Sequence, residues 1–479
     1  MRPPRISVLI ALRDKNPFLQ EALESLRMQS FQSYEAIVLM SNEVQHSTES
    51  LAEIKDPRIT QLIIPSGSDL PAMMCAGIRR ALGEYVTVMS SSDRLHPEKL
   101  QEHVRFLDAN LDIGATCSGS IELDQAGRAQ SIRSVPRDID VSAMLPDIPF
   151  TLGDLVTRKE WLVDSGLAHR ESRFLAGDLP AIIWLALAGC RFAGLERALT
   201  DRRCWPSNCS LISQTSQFNR TMKALIEIFE HPRCSREFKS SRNAVIAHSS
   251  AKQAFHAFRD NDISLGQRLI RQAIRHDHSL IGDLGKGLLI LLALESTRDG
   301  EGHEAALQCV FDSLPDELRW VSARRDWAVA LGYFWRGVWS LLWQRHSEAQ
   351  SHLALAAAAD FRLDDSLLDE LVKCLLSYAA EVSPEQSREA VRTLARLLRG
   401  LASRSQIRYL LATFFVNQAF ADHHSGHHAT VAGNVLRALY SKPLTLMNRG
   451  VEAMLVKSLL ISTSKSSNKR RKFDVPRAI

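Results

Sequence analysis

The stretch ISVLIALRDKNPFLQEALESLRMQSFQSYEAIVL, residues 6–39, decides the fold. Residues 6–12 form a nearly unbroken apolar run, the signature of a parallel strand covered on both faces. From residue 16 to 28 the spacing becomes helical, with Phe18, Leu19, Ala22, Leu23 and Leu26 on one side. Residues 36–40 (AIVLM) return to a strand-like run. Strand, helix and strand in this order make a βαβ unit.

The alternation continues outward. Residues 47–54 read as a short helix, 59–64 (ITQLII) as a third strand and 70–81 as a helix with Gly83 as its cap. Residues 85–89 (YVTVM) read as a fourth strand, 96–110 as a helix opened by Pro97, and 113–118 as a fifth strand. This predicts an α/β domain with a doubly wound, mostly parallel sheet, whose ligands sit beyond the carboxyl ends of the strands.

Beyond about residue 213 the strand signals stop. Residues 255–280, 338–362 and 417–444 share one pattern: a helix, a short polar turn, and a second helix with an Ala-rich apolar face. Self-similarity of this kind resembles divergent tetratricopeptide units. The reading is therefore an α/β domain over 1–212, an all-α helical-repeat-like domain over 213–461, and a basic, unstructured tail over 462–479. A chain of 479 residues is long enough for two or three cores.

Composition narrows the function class. Apolar residues make up 45% and charged residues 24%, as in an ordinary globular protein. A net charge of +5 permits an anionic ligand but does not argue for nucleic acid. The eight cysteines contain no CxxC pair, which points to free thiols in a reducing compartment rather than to disulfides or zinc. No apolar run reaches the ~20 residues of a membrane span, and the amino-terminal run is too short for a signal peptide. The expected location is the cytoplasm, with peripheral attachment at the inner face of a membrane left open.

Four segments then carry a family resemblance. They are the opening βαβ unit, GEYVTVMSSSDRLHPEKL (83–100), LDANLDIGATCSGSIELD (107–124) and LAGDLPAIIWLALAGCRFAGLERALTDRR (175–203). In this order and spacing they resemble the family-two GT-A glycosyltransferases over about residues 5–210. The resemblance implies a nucleotide diphosphate sugar as donor, a carbohydrate or glycolipid as acceptor, and inversion at the anomeric carbon. It also implies a Mg²⁺ or Mn²⁺ ion on an Asp-x-Asp motif, where it neutralises the departing diphosphate.

The motif positions are partly erased. The acidic pair after the second strand reads Met40-Ser41, and the metal motif reads Ser90-Ser91-Ser92-Asp93. A serine is a poor ligand for a hard cation. The resemblance leaves Asp93 as a weak metal ligand, or the site with no metal at all. It places Ser41, Ser92, Asp93, Arg94 and Arg203 on the donor and Asp178 as the base that deprotonates the acceptor. Arg202 is a further candidate to neutralise the leaving group. Other polar positions of the family fall at Cys75 and near Trp205.

Blander readings stand beside these. Asp93 and Asp178 also suit helix starts, and Arg202 and Arg203 also suit surface ion pairs. The histidines at 423, 424, 427 and 428 read as a metal site or as exposed side chains of a polar turn, and Trp335, Trp339 and Trp343 as a core or interface stripe or a sugar platform. The basic cluster 469–472 reads as solvated tail, with attraction to anionic lipid as its functional alternative. Two functions follow: a sugar transferase whose helical half binds the acceptor, a protein partner or a second copy, or a catalytically dead scaffold in surface-polysaccharide assembly.

Overall fold

The computed structural model describes residues 3–12, 16–41, 56–124, 126–168, 176–203, 211–297, 302–424 and 428–442. The expected helix at 47–54, Trp205 and the basic tail lie outside them. By internal packing the chain forms two compact units, Met1–Gly332 and Tyr333–Ile479.

The first unit is built on a ten-stranded mixed sheet. Strands β1 (Ile6–Leu12), β2 (Tyr34–Ser41), β3 (Ile59–Ile64) and β4 (Tyr85–Ser90) are mutually parallel in the order β3-β2-β1-β4. Helices α1 (Leu19–Arg27) and α2 (Leu70–Arg80) connect them. The strands β6 (Ala115–Leu123) and β10 (Phe192–Arg203) form a second parallel pair. Between the two sets lies β9 (Leu155–Arg158), antiparallel to both β4 and β6. The short strands β5 (Arg94–Leu95), β7 (Ala129–Arg133) and β8 (Asp138–Ile139) also pair antiparallel. The expected parallel order thus holds for the first four strands, and the sheet as a whole is mixed.

The apolar run of β1 has a simple cause. Ile6, Val8 and Ile10 face α1 and α3 (Lys99–Ala109), packing with Leu19, Leu23, Leu100 and Val104. Leu9 faces the other way, into a core with α2, α4 (Lys159–Asp164) and α5 (Asp178–Leu187). Both faces are covered, so no periodic polar position is tolerated. Gly83 does not cap α2, which ends on Ala81. It is glycine because a Cβ there would stand 2.6 Å from the backbone nitrogen of Ser7.

The helices after the sheet begin inside the same core. Met222, Leu225, Ile228 and Phe229 of α6 (Leu211–Glu230) and Val245 and Ile246 of α7 (Arg236–Arg259) share one buried cluster with Leu39, Cys75 and Trp184. The change of pattern near residue 213 therefore marks a change of secondary structure, while the compact unit continues to Gly332. It includes α8 (Ile263–His276), α9 (Gly282–Thr297), α10 (His303–Ser313) and α11 (Arg319–Ser322). Helix α12 (Arg325–Leu342) follows. The second unit continues with α13 (His346–Ala358), α14 (Asp365–Glu381), α15 (Pro384–Leu397), α16 (Arg404–His424) and α17 (His428–Ser441).

The three repeat-like segments are helix hairpins: α7–α8, α12–α13 and α16–α17. Two turn through a left-handed residue, Asn261 (φ 63°) and Gln344 (φ 61°). In the first, Asp262 then accepts from the Leu265 amide at 3.1 Å, a helix cap. In the second unit Trp335 stacks on Trp339 at 6.1 Å and Trp343 meets Tyr378 edge-on at 6.0 Å, so this stripe is packing. His423 and His424 end α16, and residues 425–427 lie outside the described residues. Six cysteines are described, all as free thiols, and Cys309 alone of these is only half-buried. No helix among the described residues is long and apolar enough to cross a membrane.

Candidate active site

The parallel strands direct Leu12, Ser41, Ser90, Glu122 and Arg203 to one edge of the sheet, where loops and helix starts converge. Asp178 opens α5 at this edge. It does not cap its own helix: its Oδ1 accepts from the backbone N–H of Leu152 at 3.2 Å. Leu152 begins a 3₁₀ turn, Leu152–Asp154, that feeds β9. Asp178 is solvent-exposed yet walled by protein, as a carboxylate in an open cleft is. Those surroundings raise its pKa above the ordinary carboxylate value, and Arg202 pulls it back down.

The cleft holds about 300 Å³. The sheet contributes Glu122, Arg133 and Arg202, and helix α7 contributes His248, Ser249 and Lys252. Arg133 donates to Glu122 at 2.7 Å. Arg202 approaches the fully buried Asp154 at 3.9 Å. Several carboxylates around Arg202, Asp154 foremost, offset its burial and hold it firmly protonated. A larger recess of about 730 Å³ lies at the opposite edge beside Arg5, Glu84 and Lys159, away from the carboxyl ends of β1, β2 and β4. In a sheet of this kind the carboxyl edge is where ligands bind.

Asp93 is sealed beneath the edge, 7% exposed. It does not cap α3, which begins at Lys99; its Oδ1 accepts from the Arg203 backbone N–H at 3.2 Å. Burial pushes its pKa up to about 7, against the pull of Arg202. Lys99 is wholly buried nearby, donating to the Gly153 carbonyl and to Thr200 Oγ1, both at 2.6 Å. Burial brings it down to about 8, while Asp154 and Asp93 oppose that fall. Asp154 Oδ2 accepts from the Thr151 amide at 2.9 Å and hydroxyl at 3.0 Å. Lys99 and Asp154, buried beneath the cleft, are residues that sequence reasoning did not single out, since only their distant partners show what they do.

The candidate donor residues separate. Arg94 donates to Glu21 and Asp201, both at 2.8 Å, and Arg203 donates to Glu21 at 2.7 Å while lying 4.0 Å from the Phe18 ring. Both arginines thus tie α1 to β5 and β10. Arg202 is the one of the three that lines the cleft with Asp178. Ser92 is buried, 3.0 Å from Ser90 Oγ, and Asn16 donates to Ser91 at 2.8 Å. Ser41 ends β2 at the same edge. Cys75 is buried in the core and donates to the Leu167 carbonyl at 3.3 Å.

A resident divalent cation does not fit these residues. The serines carry no charge, hard cations seek anionic oxygens, and Asp93 is buried with a backbone partner. Among the described residues no group of three or more His, Cys, Asp or Glu side chains is arranged to hold one.

Residues 7–163 match the model of glycosyl transferase family 2. Those residues are a glycosyl transferase family 2 domain. The chain is 24% identical over 162 residues to an uncharacterized glycosyltransferase of Haemophilus influenzae, covering 33% of this chain and 64% of that one. It is 25% identical over 167 residues to the amylovoran biosynthesis glycosyltransferase AmsE of Erwinia amylovora, covering 33% and 62%. These matches span less than two thirds of the relatives' own length. Among solved structures, S. aureus TarS 1-349 in complex with UDP-GlcNAc aligns at 15% identity and TM-score 0.41, over 74% of this chain and 90% of that one.

Proposed function

We propose that the protein transfers a sugar from a nucleotide diphosphate sugar to a carbohydrate or glycolipid acceptor with inversion, without a resident metal. The observation that carries this is Asp178 and Arg202 sharing one cleft at the carboxyl edge of a family 2 domain. Asp178 takes the acceptor hydroxyl proton. The acceptor oxygen forms its bond to the anomeric carbon as the bond from that carbon to the diphosphate oxygen breaks. The electron pair leaves on the diphosphate, and the Arg202 guanidinium offsets its charge. A base with a raised pKa is better matched to neutral pH than an ordinary carboxylate. Ser41 and Ser92 lie on the donor side, and Asp93 supports it by holding the backbone of Arg203. The curated relative named for amylovoran biosynthesis supports a place in polysaccharide assembly.

The test is nucleotide-dependent thermal stabilisation followed by turnover. A ligand at 100 times its Kd adds about 2.7 kcal/mol of stability. UDP or GDP is expected to raise the melting temperature with or without Mn²⁺, and Arg202→Gln to reduce that rise. Asp178→Asn is expected to keep the rise and lose 10²–10⁴-fold in transfer, as loss of a general base does. Full activity in Asp178→Asn sinks the base assignment. No nucleotide response and no turnover leaves the chain as a non-catalytic scaffold.

A further inference from the structure

We infer that helix α7, which follows the transferase fold in sequence, forms the acceptor wall of the cleft, and that the acceptor group it receives is an uncharged saccharide. This rests on the transferase reading of Asp178 above. His248, Ser249 and Lys252 stand at positions i, i+1 and i+4 of one helix and line the same cavity as Asp178 and Arg202. Residues four apart share a helix face. The wall is fixed in place: Lys252 donates to Asp147 at 3.0 Å and lies 3.6 Å from the buried Glu295 of α9. Val245 and Ile246 beside it are in the sheet's own core. A helix anchored by both contacts is part of the site.

The charge pattern names the ligand class. The lining holds three fixed cations, Arg133, Arg202 and Lys252, against three carboxylates, Glu122, Asp147 and Asp178. Arg133 is bonded to Glu122 and Lys252 to Asp147. Such a lining projects no net field for an anion. It does present donors and acceptors side by side, which suits hydroxyl groups that both donate and accept. Ile148, Phe150 and Ile182 form the buried apolar floor behind these groups. At about 300 Å³ the space is at the small end of ligand pockets, enough for a terminal saccharide unit.

The experiment uses the full chain with UDP-N-acetylglucosamine, UDP-glucose and GDP-mannose, reading nucleotide release. Lactose, cellobiose and maltose are compared with glucuronic acid and glycerol 3-phosphate as acceptor probes. A neutral disaccharide is expected to accelerate release. Ser249→Phe fills the wall and is expected to raise the half-saturating disaccharide concentration at least tenfold, and His248→Ala several-fold. Asn243→Phe, on the exposed side of the same helix, is expected to leave that concentration unchanged. Acceleration by the anionic probes alone overturns the saccharide class. Wild-type acceptor dependence in both wall variants overturns the role of α7, as does nucleotide release that no probe accelerates. No donor response of any kind, in melting temperature or release, instead removes the transferase reading itself.

Discussion

Two carboxylates of similar sequence appeal end in opposite conditions. Asp178 is open to solvent in a cleft, bonded once to the Leu152 amide. Asp93 is 7% exposed and holds the Arg203 amide from below. Arg202 acts on both, lowering the pKa of each against the surroundings that raise it, cleft walls for Asp178 and burial for Asp93. The difference lies in their covers. Asp178 begins a helix at the sheet edge, whereas Asp93 is buried close to Lys99 and Asp154, both 0% exposed. The residue suited to move a proton is the reachable one, and the other is suited to hold strand ends.

The largest effect separates the layer behind Asp178 from the rest. A chain ended after residue 212 loses α6 and α7, and with them Met222, Leu225, Ile228, Phe229, Val245 and Ile246 from the shared core. Each such side chain contributes about 1.5–3 kcal/mol when buried, and a whole domain is stable by about 5–15 kcal/mol. The shortened chain is expected to show no cooperative urea transition while the full chain does. A cooperative transition of full amplitude in the shortened chain would show that the α/β layer closes its core alone.

How much of this was legible follows from range. The apolar runs of β1 to β4 and the three helix hairpins are local patterns, and each appears where its period placed it. Strand β9 is four residues, LVTR, with no alternation to announce it. Its antiparallel insertion between β4 and β6 brings the turn at Asp154 to the site. The burial of Asp93 is not legible in sequence because the groups around it, Arg203, Lys99 and Asp154, are distant or carry no motif. One signal was available: Arg202 and Arg203 are neighbours on a strand, so their side chains point to opposite faces and cannot share one task. The site residues taken from family positions remain proposals, with Arg202 the arginine the cleft favours.

The next effect tests the seal over Asp93. Lys99→Met keeps the bulk of the side chain and removes its charge and donors. Thr200 Oγ1 and the Gly153 carbonyl then lose a partner, and buried Asp154, whose Oδ1 has no hydrogen bond among the described residues, loses a nearby cation. Breaking a buried ion cluster by removing one member costs about 3–5 kcal/mol. Urea denaturation at pH 7 is expected to show a loss of that size. An unchanged midpoint would mean that packing, not Lys99, keeps the cluster together.

The smallest effect is a slope. Burial raises Asp93 to about 7 from its ordinary 3.8, so the folded chain binds that proton more tightly than the unfolded one. Its contribution is complete below the ordinary value and is lost as pH climbs through about 7. Lys99, lowered to about 8, stays charged in both states across most of this window and does not mask the change. Asp93→Asn keeps an oxygen for the Arg203 amide and removes the titration. Midpoints of urea unfolding measured from about pH 4 to about pH 7 are therefore expected to fall less steeply in Asp93→Asn than in the wild type. At pH 8 the variant is expected to be at least as stable. A steeper fall in the variant would mean that Asp93 is ionised and favourably paired in the folded chain, and the contrast with Asp178 would then rest on exposure alone.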